Sequence, residues 1–213
     1  MHRLSTPIVI SLYSPYPGAG KSTMADLLVH DHGFVRVKMA DGLKTMLRAL
    51  LAYQEIPTYK IDEMIEGRLK HVRSDYLSSR SPRHAMQTLG TEWGRDCMGE
   101  SFWIEIAEVK IRSLLNAGKS VVIDDVRFPN EFDFVKDTLG GTMVHIRRPS
   151  LEVVQPKSTW WRRLFSQSHR SEGNLEEKPF DFYFENTAPN PAAFALSAIE
   201  KINLNRVPTY VIQ

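Results

Sequence analysis

The stretch Ser14-Pro15-Tyr16-Pro17-Gly18-Ala19-Gly20-Lys21-Ser22-Thr23 lies between an apolar run, residues 8–13, and residues 24–30, whose apolar side chains recur at helical spacing. A strand, a glycine-rich turn and a helix in this order form the setting of a phosphate-binding loop. Glycine lets successive backbone N–H groups turn toward phosphate oxygens, and the helix N-terminus adds partial positive charge. The alternative is an ordinary glycine-rich turn between a strand and a helix.

The end of this loop carries predicted roles for individual side chains. Lys21 is expected to reach the β- and γ-phosphates of ATP, and the Ser22 hydroxyl is expected to bind Mg²⁺. Pro15 stands where the motif has its first glycine, and proline has no N–H to donate. We expect this loss to be tolerated because the N–H donors begin only after Pro17. The predicted phosphate-binding residues are Gly18, Ala19, Gly20, Lys21, Ser22 and Thr23.

Composition places the chain among ordinary globular proteins. Its 213 residues suffice for one α/β domain, and 42% of them are hydrophobic and 24% charged. A net charge of +2 gives no polyanion-binding signature, so no nucleic-acid partner is expected. Cys97 is the one cysteine, which excludes an internal disulfide, fits a reducing compartment and predicts a small buried side chain. No apolar run reaches transmembrane length and no signal-peptide core is seen, so we expect a cytoplasmic protein without a membrane partner.

Strands are predicted to alternate with helices along the chain. Ser81 followed by Pro82 marks one helix start, because serine caps a helix and proline fits the first helical position. Apolar periodicity predicts further strands at 34–38, 120–124, 142–146 and 179–185, and helices at about 43–53, 102–116 and 190–204. This alternation predicts an α/β fold of three layers, with a parallel sheet flanked by helices, in a single domain that spans residues 1–213. Ligands of such sheets bind at the carboxyl ends of the strands.

Two acids and an arginine follow the apolar strand at 120–124. Asp124 and Asp125 stand where a carboxylate can support Mg²⁺ or steer a substrate group, and the alternative is a cap on the next turn. We take Asp124 as the metal-supporting acid and Asp125 as the catalytic acid, although either could support the metal. Arg127 follows, and its guanidinium fits phosphate oxygens in a bidentate manner. A salt bridge to Glu131 or a neighbouring acid is an equal alternative for Arg127.

Two further polar segments are less specific. The row Arg83, Gln87, Thr91 and Arg95 repeats every four residues, which by itself indicates a solvated helix face. Residues 150–178 form a long basic excursion that fits a closing lid, because phosphoryl transfer requires the exclusion of water. The alternatives for this excursion are a surface helix with scattered charge, or a protein or nucleic-acid contact through Trp160-Trp161-Arg162-Arg163. The predicted lid arginines are Arg162, Arg163 and Arg170.

Taken together, these motifs resemble the deoxynucleoside monophosphate kinases of tailed bacteriophages, within the P-loop nucleoside monophosphate kinase group. The matching segments occur in the family's order and span most of the chain. Two departures are Pro15 and the Trp160-Trp161-Arg162-Arg163 stretch, which aligns with no family motif. The segments are Gly18-Ala19-Gly20-Lys21-Ser22-Thr23, Met39-Ala40-Asp41-Gly42-Leu43-Lys44, Gln87-Thr88-Leu89-Gly90-Thr91-Glu92-Trp93-Gly94-Arg95, Asp125-Val126-Arg127-Phe128-Pro129-Asn130-Glu131 and His169-Arg170-Ser171-Glu172.

The resemblance implies a P-loop NTPase fold and transfer of the ATP γ-phosphoryl group to a deoxynucleoside monophosphate (dNMP), with Mg²⁺, in support of phage DNA synthesis in the host cytoplasm. It implies a monophosphate-binding region at 39–100 and a lid at 150–178. A homodimer is compatible with the sequence. The implied dNMP contacts are Asp41, Lys44, Arg83, Gln87, Arg95 and Arg127. The implied catalytic residues are Lys21, Arg127 and Asp125.

Two other functions fit the same residues. A kinase like dephospho-coenzyme A kinase shares the fold and the lid. A nucleotide-gated module that binds DNA or a replication protein is a rival of a different class. ATP consumption with and without added dNMP distinguishes them, because the predicted kinase needs the small acceptor.

Overall fold

A computed structural model describes residues 7–152 and 175–204, and the predicted lid arginines therefore lie outside the described residues. The chain divides into two compact units. Among the described residues the first unit contains 7–38, 108–152 and 175–204, and the second is Met39–Ala107. The predicted monophosphate-binding region at 39–100 falls within this second unit. Each unit is described by itself below.

The first unit is built on a parallel sheet. Its described strands are β1 (Val9–Tyr13), β2 (Val35–Val37), β3 (Val121–Ile123), β4 (Thr142–Arg147) and β5 (Phe182–Glu185). They are ordered β2-β3-β1-β4-β5, and every neighbouring pair is parallel. The register pairs Ser11 of β1 with Ile123 of β3 and Met143 of β4. The carboxyl ends of β1 and β3 therefore lie side by side, at the edge where ligands bind.

Helices cover both faces of this sheet. The described helices of the first unit are α1 (Lys21–His32), most of α5 (Phe102–Asn116), α6 (Pro129–Asp133) with its π-helical continuation (Phe134–Thr138), α7 (Pro149–Glu152) and α8 (Pro191–Ile202). On one face, Leu12 and Val144 pack with Met24 of α1 and Phe194 of α8 in one buried cluster. Tyr13 and His145 follow Leu12 and Val144 directly and so point to the other face, because side chains alternate along a strand. The predicted three-layer α/β fold is confirmed.

The second face of the sheet carries a stack of aromatic rings. Tyr13 stacks on His145 with ring centroids 5.3 Å apart, and Tyr13 also stacks on Phe180 at 5.4 Å. Phe132 of α6 meets Phe180 edge to face at 5.1 Å. Burial of these rings fixes α6, and with it the turn between β3 and α6, against the end of the sheet.

The second unit is helical. It contains α2 (Asp41–Tyr53), α3 (Thr58–Ile65), two 3₁₀ turns (Arg68–His71 and Asp75–Leu77), α4 (Pro82–Thr88), a π-helical segment (Leu89–Met98) and the start of α5. The predicted cap is confirmed, because the Ser81 hydroxyl accepts a hydrogen bond from His84 N at 3.2 Å. The unit has its own core, in which Leu47, Leu51, Ile65 and Trp103 are buried.

The π-helical segment depends on close packing against Trp103. The Trp103 indole N–H donates to the Gly90 carbonyl at 2.8 Å, and Trp93 and Phe102 lie against the same ring. A Cβ atom on Gly94 would lie 2.1 Å from Trp103 Nε1, and this distance is too short for two non-bonded atoms. Glycine at 94 is therefore required for the aromatic cluster to close.

Several local predictions need correction. Cys97, expected to be buried, is exposed in the π-helical segment. The row of polar residues from Arg83 to Arg95 does not lie on one regular helix face, because α4 ends at Thr88 and the wider π turn changes the spacing after it. Thr91 of this row is buried, whereas a solvated face would expose it.

Within residues 7–152 and 175–204, no helix is long and apolar enough to cross a membrane.

Gly94→Ala tests the packing against Trp103. The added methyl group must displace the indole ring, so the variant should lose about 1–3 kcal/mol of unfolding free energy, the usual cost of overpacking a core. Denaturant unfolding followed by tryptophan fluorescence measures the loss. Gly90→Ala is the matched control, because its Cβ would lie 3.3 Å from the flexible end of Leu43. Equal stability of Gly94→Ala and the parent protein would contradict the packing described here.

Candidate functional site

The loop after β1 leads directly into α1. Gly18 and Gly20 have φ angles of 80° and 111°, which are left-handed conformations that glycine adopts without strain. Gly20 caps the N-terminus of α1, and the first helical hydrogen bond runs from Met24 N to the Gly20 carbonyl at 3.0 Å. The N–H groups of residues 21–23 therefore have no acceptor within the helix. These groups and the helix dipole provide donors for an anion.

Lys21 lies half-buried at this edge. Its ammonium donates to the Ser14 carbonyl at 3.2 Å, which folds the side chain back along the loop. Burial and, as a smaller effect, the nearby Arg127 guanidinium lower the pKa of Lys21 to about 8, while Asp124 and Asp125 act in the opposite direction. A lysine whose charged form is disfavoured in the ligand-free protein is stabilised when an anion arrives beside it.

Asp124 directly follows the last residue of β3 at the same edge and is 8% exposed. Its Oδ1 atom is buried and has no hydrogen-bond partner within the described residues. Its Oδ2 atom lies 3.8 Å from Arg36 Nε, an ion pair too long for a hydrogen bond. A buried carboxylate oxygen without a donor is a suitable ligand for a hard cation such as Mg²⁺. Ser22, one residue into α1, is exposed and offers a second oxygen ligand from the same unit.

Arg36 is a functional candidate that the sequence analysis missed. It lies in β2, and its Nη2 atom donates to Asp26 Oδ1 at 2.7 Å and to the Ser22 carbonyl at 3.1 Å. Its Nε atom faces Asp124, as described above. One guanidinium thus joins the first turns of α1 to the end of β3. The alternating pattern at 34–38 predicted a strand, but nothing local indicated where this basic side chain would reach.

Arg127 is exposed on the turn between β3 and α6. Glu131, its predicted alternative partner, instead accepts hydrogen bonds through Oε2 from the backbone N–H groups of Arg127 at 2.7 Å and Phe128 at 3.1 Å. Glu131 is 5% exposed and caps the start of α6. Within the part of the chain that the structure describes, no ion pair holds the Arg127 guanidinium. It lies near Lys21 closely enough to affect the lysine pKa.

Two backbone carbonyls of the loop accept hydrogen bonds from residues that the sequence analysis did not single out as site residues. Arg148 Nη1 donates to the Gly18 carbonyl at 3.2 Å, and Asn186 Nδ2 donates to the Ala19 carbonyl at 2.9 Å. Both residues follow sheet strands of the first unit, β4 and β5. The bonded residues are 130 and 167 positions apart in the sequence, so no local sequence pattern could have predicted these two hydrogen bonds.

The other predicted contacts lie in the second unit. Asp41 is the first residue of α2, and the Lys44 ammonium one turn later pairs with Glu66 at 2.6 Å. Arg83 and Gln87 lie one turn apart on α4, and Arg95 lies in the π-helical segment. The first unit brings together Lys21, Ser22, Asp124, Asp125 and Arg127, and the second carries Asp41, Lys44, Arg83, Gln87 and Arg95.

Comparison with known proteins identifies the family. The model of the family described as deoxynucleotide monophosphate kinase matches residues 54–160. The chain is 32% identical over 143 residues to a protein of Acanthamoeba polyphaga mimivirus assigned to the deoxynucleotide monophosphate kinases, covering 63% of this chain and 71% of the relative. This chain belongs to the deoxynucleotide monophosphate kinase family. It is an ATP-dependent phosphotransferase that acts on deoxynucleoside monophosphates.

Two further similarities are more limited. The deoxynucleoside-5'-monophosphate kinase of Escherichia phage T5 is 41% identical over 58 residues, which are 27% of this chain and 22% of the phage enzyme. A structure of dephospho-CoA kinase from Campylobacter jejuni covers 94% of this chain and 98% of its own, at 13% identity and a TM-score of 0.37. That score is too low to support the dephospho-coenzyme A kinase alternative, and the family match favours the nucleotide kinase.

Proton uptake tests the environment of Lys21. With a pKa of about 8 the lysine is mostly neutral at pH 8.5, and ATP phosphates placed beside it raise the pKa again. The lysine should therefore take up roughly 0.5–1 proton when ATP binds at pH 8.5, and almost none at pH 7, as expected for one group titrating near 8. Calorimetric titrations in two buffers of different ionisation enthalpy measure this number.

Lys21→Arg is the matched control, since arginine keeps its proton at both pH values. The arginine variant reports the protons that ATP itself exchanges. The parent protein should therefore take up more protons than this variant at pH 8.5 and about the same number at pH 7. An ATP binding enthalpy of the parent protein at pH 8.5 that is the same in both buffers would contradict the assignment of Lys21 to the phosphates.

Proposed function

We propose that the carboxyl edge of the first unit's sheet binds the phosphates of ATP and performs γ-phosphoryl transfer to the dNMP. The observation that supports this most strongly is the pair of cations beside the start of α1. Lys21 is bound only to a backbone carbonyl in the described structure, and Arg127 forms no ion pair there. Two cations close enough to disfavour each other's charge are stabilised together by an anion. Because the chain belongs to a nucleotide kinase family, the anion that we propose here is the phosphate chain of ATP.

Within this proposal, the loop residues from Gly18 to Thr23 supply N–H donors to the phosphate chain of ATP. Lys21 leaves the Ser14 carbonyl and pairs with the β- and γ-phosphates, where its positive charge offsets the charge that develops during transfer. Little covalent chemistry is required of the protein, because the acceptor phosphate is already a nucleophile. Positioning and charge stabilisation therefore account for most of the catalysis.

The same edge fits Mg²⁺. The donor set consists of hard oxygens, and the Asp124 Oδ1 atom is buried without a partner in the described residues. Ser22 and Asp124 would hold the ion, and Asp125 beside them would hold or orient a group of the acceptor. When bound, Mg²⁺ neutralises part of the charge on the β- and γ-phosphates. Arg36 would keep Asp124 and the Ser22 backbone in place through the contacts described above.

Recognition of the dNMP phosphate in the first unit is assigned to Arg127. A guanidinium binds a phosphate through two parallel hydrogen bonds, which fixes both position and orientation. Lys44 would give up its ion pair with the partly exposed Glu66 carboxylate and pair with a phosphate group, which carries more negative charge. The residues of the second unit that the sequence resemblance implies as dNMP contacts remain predictions: Asp41, Lys44, Arg83, Gln87 and Arg95.

Three predictions from the sequence remain predictions. Residues 153–174, which include Arg162, Arg163 and Arg170, lie outside the described structure, so the lid is an expectation from charge and length. A possible homodimer and a location in the host cytoplasm are also expectations from the sequence. None of these features is needed for the phosphate site proposed here.

Arg127→Lys tests acceptor recognition. The substitution keeps the positive charge but removes the bidentate fork, so the KM for dNMP should rise on the order of tenfold while ATP affinity changes little. Steady-state kinetics with varied dNMP and calorimetry with ATP give the two quantities. A fall in ATP affinity with an unchanged KM for dNMP would place Arg127 on the ATP side and contradict the assignment.

Arg112→Lys serves as the control for this experiment. It makes the same replacement on α5, where Arg112 pairs with Glu108 four residues earlier, and it should leave both constants unchanged.

Asp124→Asn tests the proposed metal site. This variant should raise the Mg²⁺ concentration needed for half-maximal rate and leave the KM for dNMP unchanged at saturating Mg²⁺. An unaltered Mg²⁺ requirement would contradict the metal-binding role of Asp124.

A further inference from the structure

The direction of each N–H group in the phosphate-binding loop is set by the carbonyl that precedes it. A trans peptide is planar, so its C=O and the following N–H point in opposite directions. A side chain that holds the Ala19 carbonyl therefore aims the Gly20 N–H to the opposite side. Holding the Gly18 carbonyl does the same for the Ala19 N–H. Both carbonyls are hydrogen-bonded, to Asn186 and Arg148 respectively.

Asn186 is the more constrained of these two donors. It is 2% exposed, directly after the last residue of β5, and its backbone N–H donates to the Arg147 carbonyl at 2.7 Å. Its Nδ2 atom reaches the Ala19 carbonyl at 2.9 Å in a buried hydrogen bond. Sheet pairing fixes the backbone of Asn186, and burial restricts its side chain. The hydrogen bond therefore ties the loop to the rigid part of the fold.

The loop lies tightly against this amide. A Cβ atom on Gly20 would lie 2.9 Å from Asn186 Nδ2 and 3.6 Å from the Phe194 ring. Gly20 also has a φ of 111°, in the left-handed region. The conformation of Gly20 and the position of Asn186 therefore depend on each other, and the peptide between Ala19 and Gly20 has one orientation.

From this geometry we infer that Asn186 is a positioning residue for ATP, which holds the Ala19–Gly20 peptide so that its N–H faces the phosphates before the nucleotide arrives. The inference rests on the proposed phosphate site. Without Asn186 the peptide can rotate, and the nucleotide must order the loop as it binds, which lowers affinity. Asparagine suits the task because it donates without adding charge, whereas an aspartate would face the Ala19 carbonyl with an acceptor.

The Asn186 Oδ1 atom raises a competing role. It is buried and has no hydrogen-bond partner within residues 7–152 and 175–204. A side chain with one unpaired acceptor could instead contact the base of the nucleotide. The two roles differ in the part of ATP that they affect, since positioning of the loop acts on the phosphates alone.

Inorganic tripolyphosphate separates these roles, because it carries the phosphates without base or sugar. Asn186→Ala should weaken the calorimetric affinity for both tripolyphosphate and ATP by about tenfold, the effect of losing one buried hydrogen bond. The KM for dNMP should stay unchanged. Asn190→Ala is the matched control for stability, because the Asn190 side chain caps α8 through Ala192 N at 2.9 Å and contacts no loop residue in the contacts described. This control should retain the tripolyphosphate affinity of the parent protein.

Asn186→Asp adds a readout that a general loss of stability would not produce. A neutral carboxylic acid can donate its O–H to the Ala19 carbonyl, but a carboxylate cannot. Tripolyphosphate affinity of this variant, relative to the parent protein at the same pH, should recover as the pH falls from 8 to 5.5. The same ratio for Asn186→Ala should not change with pH.

Loss of ATP affinity with unchanged tripolyphosphate affinity in Asn186→Ala would overturn the inference in favour of a base contact. Unchanged affinity for both ligands would overturn it in favour of no role. If the parent protein itself fails to bind tripolyphosphate while ATP binds, the proposed phosphate site fails as well. A pH-independent ratio for Asn186→Asp would also count against the inference.

Discussion

The backbone of the loop between β1 and α1 can present N–H groups to a phosphate only if its carbonyls are satisfied elsewhere. A buried carbonyl without a donor is costly, and a carbonyl that faces a phosphate repels it. In this protein the carbonyls of Ser14, Gly18 and Ala19 are bound by side chains of Lys21, Arg148 and Asn186. The parallel sheet brings these groups together: β4 pairs with β1 and β5 pairs with β4, and Arg148 and Asn186, which follow these strands, both reach the loop after β1. The proposed phosphate site thus depends on sheet topology as much as on the glycine-rich sequence.

The charged side chains at this edge of the sheet are also only partly balanced within the protein. Lys21 is desolvated and lies near Arg127, so the ligand-free protein holds it in a state where its charge is disfavoured. Asp124 and Asp125 offset part of that cost, and Arg36 ties Asp124 to the start of α1. At the proposed site, a nucleotide with its metal ion would supply both the negative charge that balances the cations and the positive charge that balances Asp124. Ligand binding and electrostatic balance are therefore coupled at one site.

Sequence patterns predicted the features that depend on neighbouring residues. Ser81 and Pro82 mark a cap that needs only local geometry, and the apolar run at 120–124 predicts a buried strand from composition alone. The roles of Arg36 and Asn186 could not be predicted, because their partners lie far along the chain and are brought close only by the sheet. Cys97 was wrongly expected to be buried, because that expectation came from the general tendency of free cysteine and not from its place in the π-helical segment, where it is exposed. The four-residue spacing from Arg83 to Arg95 also fails to mark one helix face after α4 ends at Thr88. The periodicity of an α-helix does not apply where the helix widens.

The most direct test of this account is the stoichiometry of phosphoryl transfer by the parent protein. ATP, a dNMP and Mg²⁺ are incubated with the protein, and ADP and dNDP are quantified by anion-exchange chromatography, with each component omitted in turn. The account predicts equal amounts of ADP and dNDP, and negligible ADP when either the dNMP or Mg²⁺ is left out. ADP formation at the same rate without a dNMP would contradict it, because the site would then be a nucleotide hydrolase or a nucleotide-gated module.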